Sequence, residues 1–366
     1  MARRIALFIR SMAGGGAQRM MVRYASGFAR HGLEVDVLCL FPEGPFRDEL
    51  DPMVRLLPLQ SRRVIGAIPE VARYLRRHKP DAMMVTEPAS NIAVILSRML
   101  ARSQTRLLVR EGLFPSIAAR ESPHRATRQA YRLAPLLYPR ADVIVAIAEP
   151  MAADLARFIR VPPSRITTVA VNPVVTSSLA AAAARPASHP WLASGQPPVI
   201  LGVGRLDEQK DFATLVRAFE LVRAARECRL LILGEGPRRA ELEALKHASR
   251  HSADIDFPGF DPNPFSYMAR CAVFVLSSRY EGLPNSLIEA LACGAPSVAT
   301  DCPSGPHDIL AGGRYGALVP VGDPSAMAEA IARTMNEPTD REELRRRGGE
   351  YTVERSASAY LAHLLP

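Results

Sequence analysis

The chain has few cysteines and sets them in no pattern. Cys39, Cys228, Cys271, Cys293 and Cys302 are odd in number, dispersed and without a C-x-x-C pair, which argues against a disulfide framework or a zinc site and implies a reducing cytosol. Long apolar runs are missing as well. No uncharged stretch approaches the roughly 18 residues of a membrane span, so any membrane contact is expected to be peripheral. The opening MARRIALFIRSMAGGGA has the basic start of a secretory leader, yet its apolar core IALFI stops at Arg10, short of the roughly 7 to 15 residues required, and reads as a first strand. Few aromatics interleave with the arginine clusters, so stacking on nucleic acid is not expected. Nucleotide fingerprints are absent too: GGGAQR lacks the G-x-G-x-x-G order of a dinucleotide fold and the Lys-Ser/Thr of a P-loop.

What is present is charge, length and repeated strand signals. The formal net charge of +9 is lopsided: residues 1–170 hold 26 Lys and Arg against 14 Asp and Glu, whereas residues 171–366 hold 20 against 23. Clusters at Arg73, Arg76, Arg77 and Lys79 and at Arg120, Arg125, Arg128 and Arg132 suit an anionic membrane surface, or equally a solvated basic face. At 366 residues the chain suits two domains of about 150 to 200 residues. Continuous apolar runs (IALFI, VDVLCL, AMMV, RLLV, DVIVAIA, then VILGVG, LLILG, AVFVL, SVAT) fit parallel strands buried on both faces. Between them run helical periods such as Ala17–Met20–Met21–Tyr24–Ala25–Phe28 and Phe212–Leu215–Val216–Phe219–Val222. An Ala/Ser/Pro-rich segment without strand pattern divides the series. The expected organisation is a doubly wound α/β domain over 1–175, a linker over 176–198, a second such domain over 199–350, and a final helix over 351–366 packing back toward the first domain.

Three stretches carry the chemistry. Gly14, Gly15 and Gly16 join the first strand to the first helix, where amides can approach an anion closely or simply make a flexible turn. VGRLDEQKDF puts Arg205 at the C-terminal end of a strand and Lys210 before the next helix, two cations at the sheet edge where diphosphates bind. SSRYEGLPNSLIEALACG sets Glu281 ahead of a helix whose first turn should hold Pro284 and whose end is capped by Gly294. Leu287, Ile288 and Leu291 form its buried stripe and Asn285, Glu289 and Cys293 another side. Amides near Gly282 and Leu283 would form an anion site beside two carboxylates, a combination suited to a ligand with both phosphates and hydroxyls.

The segments VGRL..QKDF, LLILGEGPRRAELE, FPGFDPNP, FVLSSRYEGLPNSLIEALACGAPSVATDCPSGP and YGALVPVGD, in order from Val199 to about Asp323, resemble the C-terminal half of the retaining glycosyltransferases of family four. The N-terminal half resembles that family only through its glycine-rich loop and layout. The resemblance implies the α/β GT-B fold, two doubly wound Rossmann-like domains facing a central cleft, with an N-terminal acceptor domain and a C-terminal nucleotide-sugar domain. It implies that Glu281 bonds the donor sugar's hydroxyls and Glu289 the ribose. Arg205 and Lys210 would hold the diphosphate and stabilise it as leaving group, and Asn285 would lie in the same site. Gly282 and Leu283 would bind the distal phosphate, Gly259 and Phe260 would lie near the base, and Gly15 and Gly16 would close on the phosphates. No cofactor or metal is expected; the nucleotide sugar, most simply UDP-linked, is a substrate. DCPSGP resembles the subset that extends polyprenyl-diphosphate oligosaccharides, which implies a glycan or lipid-linked acceptor, cell-surface polysaccharide synthesis and a cytoplasmic enzyme peripheral on the inner membrane face.

Two departures stand out. Where the family loop reads Gly-Gly-Ala-Glu this chain has Gln18, and where some members carry a His at the end of a middle strand it has Arg110 and Glu111, which either face the acceptor or form a structural ion pair. Asp254 and Asp256 imitate a metal-binding Asp-x-Asp, but alternating polar residues of a strand are the simpler reading. His307 is taken as a surface or capping residue. A GT-B sugar-nucleotide epimerase or hydrolase lacks the paired glutamates, a dehydrogenase lacks its fingerprint, and a non-catalytic binding subunit would not need all four polar positions.

Overall fold

The structure, a computed structural model, describes residues 3–13, 15–122 and 124–365. Its chain forms two compact units, Met1–Pro173 with Thr352–Pro366, and Val174–Tyr351. The first unit is built on seven parallel strands: β1 (Arg4–Ser11), β2 (Glu34–Phe41), β3 (Arg55–Pro58), β4 (Ala82–Thr86), β5 (Arg106–Glu111), β6 (Val143–Ala146) and β7 (Ile166–Thr168), in the order β3-β2-β1-β4-β5-β6-β7. The second has six: β8 (Val199–Val203), β9 (Arg229–Leu233), β10 (Ile255–Gly259), β11 (Val273–Leu276), β12 (Ser297–Thr300) and β13 (Ala317–Val319), in the order β10-β9-β8-β11-β12-β13. Both are Rossmann-like sheets. In each, the winding reverses once, between β1 and β4 and between β8 and β11, and such a switch point opens a crevice beyond the C-terminal strand ends.

All nine apolar runs of the sequence are strands. Most of their residues are shut away from solvent because helices cover both faces: Ile5, Leu7, Val37, Met84 and Leu108 in one sheet, Ile200, Leu230, Ile232, Val273 and Val298 in the other are all buried. The strands the apolar runs do not reveal are edges. β3, β7 and β13 are three or four residues long and only partly buried, so they lack the continuous apolar signal of a central strand. β10, the remaining edge, is the alternating strand expected around Asp256.

The C-terminal helix Val353–Leu364 packs within the first unit. Thr352 caps it, accepting from Arg355 N at 3.2 Å; the Tyr360 ring lies 4.7 Å from that of Tyr24, and Arg106 Nε donates to His363 O at 3.0 Å. Residues 176–198 carry a short helix, Leu179–Ala184, whose carbonyls accept from second-unit side chains: Asn263 Nδ2 to Ala182 O and Arg270 Nη1 to Ala183 O, both at 3.0 Å. Among the described residues, no helix is long and apolar enough to cross a membrane.

Candidate active site

Two loops leave the second sheet at the β8/β11 switch point, and ion pairs join them: Arg279 Nε reaches Asp211 Oδ2 at 3.3 Å, and a more buried pair forms between Lys210 and Glu281. Lys210 Nζ lies 2.5 Å from Glu281 Oε1, with the two side chains only 18% and 8% exposed. The same carboxylate oxygen accepts from Ser278 Oγ at 2.7 Å. One backbone bond and two side-chain-to-backbone bonds hold the loops in register: Arg279 N to Gln209 O at 2.8 Å, Gln209 Nε2 to Tyr280 O at 3.0 Å, and Ser277 Oγ to Lys210 O at 2.7 Å. Asp207 braces the loop that carries both basic residues, since its Oδ1 accepts from the Lys210 backbone N–H at 3.1 Å and its Oδ2 pairs with Arg205 Nε at 2.6 Å. The Arg205 side chain is otherwise in solvent, 66% exposed, on the same loop but outside the Lys210–Glu281 pair. Asp207 and Ser278 were not singled out in the sequence. Asp207's signal was an acid placed between two cations in RLDEQK.

The segment after Glu281 is shaped from below. Gly282 O accepts from Ser304 Oγ at 2.6 Å, and Gly305, at φ 52°, brings its backbone so close that a Cβ would stand 2.5 Å from that same oxygen. The helix runs Asn285–Ala292, so Pro284 is the residue ahead of it, at φ −69° and ψ 104°, and not part of the first turn as the sequence suggests. At the other end Gly294 has φ 76°. Gly294 N reaches Leu291 O at 2.8 Å and Ala295 N reaches Ala290 O at 2.9 Å, the bond pair of a Schellman cap. Leu287, Ile288 and Leu291 are fully buried, while Asn285 and Glu289 are half-buried on another side. No acid sits in the first turn, so the helix presents its positive end at the Gly282–Leu283 loop. Burial together with the nearby Glu281 charge pushes the Cys302 thiol up to about 12, which leaves it protonated and inert. Gly259 ends β10 at φ 90°, and the following Phe260 is 76% exposed.

In the first unit Gly15 is the N-cap of the helix Gly16–Arg30, whose first turn has neither a side-chain cap nor an acid. Gly14 lies outside the described residues. Arg110 and Glu111 do not pair with each other, because consecutive strand residues point to opposite faces of β5. Arg110 is 1% exposed and donates to Tyr360 Oη at 3.0 Å and Asn172 Oδ1 at 2.8 Å. Glu111 is fully enclosed, accepts from Tyr138 Oη at 3.0 Å and Gly112 N at 3.0 Å, and is pushed up to about 7 by burial. Both are interior groups. Asp254 is taken by Arg223 Nε at 2.8 Å, Asp256 by His189 Nε2 at 3.1 Å and Lys246 Nζ at 3.4 Å, and His307 Nδ1 lies at the surface 3.3 Å from Asp301 Oδ1.

The family model for "Glycosyl transferases group 1" matches residues 197–337, and that for "Glycosyltransferase Family 4" matches residues 14–171. The chain belongs to glycosyltransferase family 4. This family 4 chain is 31% identical over 247 residues to the N-acetylgalactosamine-N,N'-diacetylbacillosaminyl-diphospho-undecaprenol 4-alpha-N-acetylgalactosaminyltransferase of Campylobacter jejuni, covering 68% of the chain and 64%, under two thirds, of that protein. It is 27% identical over 363 residues to the lipopolysaccharide core biosynthesis glycosyltransferase LpsE of Rhizobium meliloti, covering 95% of each. Among solved structures it resembles Anabaena HepE in complex with UDP and glucose (TM-score 0.77, 17% identity, 99% of each chain) and a glycosyltransferase of Rickettsia africae (TM-score 0.77, 15% identity, 99% and 98%). The fold is therefore GT-B.

Proposed function

We propose that the family 4 chain transfers a hexose or N-acetylhexosamine from a UDP-linked donor to a lipid-linked oligosaccharide, with retention at the anomeric carbon. The observation that carries the reading is the buried Lys210–Glu281 pair across the β8/β11 switch point, set at the positive end of the Asn285–Ala292 helix. A nucleotide sugar supplies a replacement for each partner: its hydroxyls satisfy Glu281, and its diphosphate satisfies Lys210. Arg205 then leaves Asp207 for the outer phosphate oxygens, the amides of Gly282 and Leu283 take the distal phosphate, and Glu289 takes the ribose. Gly259 and Phe260 would flank the base and Asn285 the donor.

As the glycosidic bond breaks, negative charge gathers on the departing diphosphate and the sugar becomes oxocarbenium-like. Lys210, Arg205 and the helix terminus are fixed positive groups where that charge develops, so they stabilise the transition state more than the ground state. The acceptor hydroxyl attacks from the face the diphosphate leaves, and the departing phosphate oxygen takes its proton. Support for a lipid-linked acceptor comes from the activity for which the Campylobacter relative is named and, for envelope glycans, from LpsE. The helix Arg125–Leu137 supports peripheral attachment to anionic lipid, since it exposes Leu133 (45%) and Leu136 (62%) together with Arg125 and Arg132. The reading is tested by thermal unfolding with a panel of nucleotides: UDP should stabilise the protein, and stabilisation by none of them would defeat it.

A further inference from the structure

The two units answer each other topologically. In the second, the strands flanking the switch point are β8 and β11, and the link across it runs from Lys210, after β8, to Glu281, after β11. In the first, the flanking strands are β1 and β4, and a link runs between the same two places. Gln18, in the first turn of the helix that follows β1, donates Nε2 to Glu87 Oε1 at 2.8 Å, and Glu87 is the single residue between β4 and the helix Pro88–Ala101. Glu87 is thus the first unit's positional counterpart of Glu281.

Two properties of Glu87 suit a binding group. It sits at φ 72° and ψ 129°, a backbone conformation unfavourable to any residue with a Cβ, so the turn from strand to helix is held under strain with a long carboxylate on it. Its carboxylate is half-buried, and among the described residues the Gln18 amide is its only side-chain hydrogen-bond partner. An ionised carboxylate only accepts, so its second oxygen calls for a donor. Burial holds its affinity for a proton above the ordinary carboxylate value, with the positive Arg10 opposing. A phosphate would be repelled there, and Arg10 already supplies a cation, which leaves neutral hydroxyls as the fitting ligand.

We propose that Glu87 is an acceptor-binding residue, whose carboxylate, steadied by Gln18 across the β1/β4 switch point, takes hydrogen bonds from the hydroxyls of a neutral terminal acceptor sugar. The inference rests on the glycosyl-transfer reading above. It further requires that acceptors ending in a uronic acid or a phosphate be poor substrates, because their charge would meet Glu87's.

The test uses the full chain and whichever member of a panel of short-chain polyprenyl-diphosphate saccharides gives the highest wild-type turnover. Glu87→Gln should raise the acceptor KM by about tenfold or more, while donor KM and the thermal shift produced by UDP stay at wild-type values. Glu87→Gly, which relieves the strained φ, should match that acceptor defect with a Tm at or above wild type. An unchanged acceptor KM in both variants overturns the inference and leaves the transfer reading standing. So does a Tm loss in both variants with donor and acceptor KM rising together, since that is what a merely structural glutamate would give. Wild-type stabilisation by no nucleotide and turnover with no panel member would instead overturn the transfer reading, and this inference with it.

Discussion

Glu281→Gln probes the pair on which the donor site is built. The substitution keeps the shape and leaves Ser278 Oγ a partner, but removes the charge that faces Lys210 Nζ at 2.5 Å. With an effective dielectric near 20, Coulomb attraction at that distance is about 6 to 7 kcal/mol, and the desolvation of two buried ions offsets most of it. A net loss of roughly 2 to 4 kcal/mol in the stability of the second unit follows, or on the order of 4 to 16 °C in its melting transition. In catalysis, losing one charged contact to the reacting sugar should lower kcat/KM by about 10² to 10³. The informative readout is a comparison of ligands by calorimetry. UDP should bind the variant at least as well as wild type, because Lys210 no longer has to leave a carboxylate, whereas the extra affinity of the UDP-sugar over UDP should disappear. Wild-type turnover, or equal weakening of UDP and UDP-sugar, would refute the reasoning.

Lys210→Ala should do the opposite, weakening UDP itself by roughly 30- to 150-fold in calorimetric titration; unchanged UDP affinity would remove Lys210 from the diphosphate. Glu111 has its folded pKa raised from 4.5 to about 7, so between those values the folded chain keeps a proton that the unfolded chain releases, and stability falls as pH rises through that window. The shift corresponds to about 3 kcal/mol. Glu111→Gln should flatten the change in first-unit melting between pH 5 and pH 8, and an unaltered slope would count against the buried proton. Flotation with anionic vesicles should be lost at high salt and weakened by Leu136→Ser with Arg132→Ser; salt-independent binding, or none, would remove the membrane proposal.

The sequence revealed those parts of the fold whose signal is local. Continuous apolar runs mark the nine central or longer strands, and VGRL..QKDF with SSRYEGLPNSLIEALACG marks the loops that meet at the second switch point. β3, β7 and β13 escaped because an edge strand of three or four half-buried residues carries no such run. Arg110 and Glu111 were grouped as neighbours in sequence, though a strand sends them to opposite faces and both end in the interior. Asp207 and Ser278 have partners only two or three positions away, Arg205 and Lys210 for Asp207 and Glu281 for Ser278, so their signal was local, but the residue types alone do not say that those side chains turn toward one another. Glu87 could not be read at all, since its interest lies in a positive φ and a bond to Gln18 some seventy positions away, neither of which residue type encodes.

The central claim, that a sugar is moved from a nucleotide to a glycan, is tested most directly by incubating the purified chain with UDP-sugars and polyprenyl-diphosphate saccharides and reading products by mass spectrometry and NMR. The account predicts UDP release matched by an acceptor heavier by one hexose or N-acetylhexosamine, with the new linkage keeping the donor's anomeric configuration. Donor consumed in the absence of any glycosylated product, with free sugar or an epimerised nucleotide sugar in its place, would contradict it.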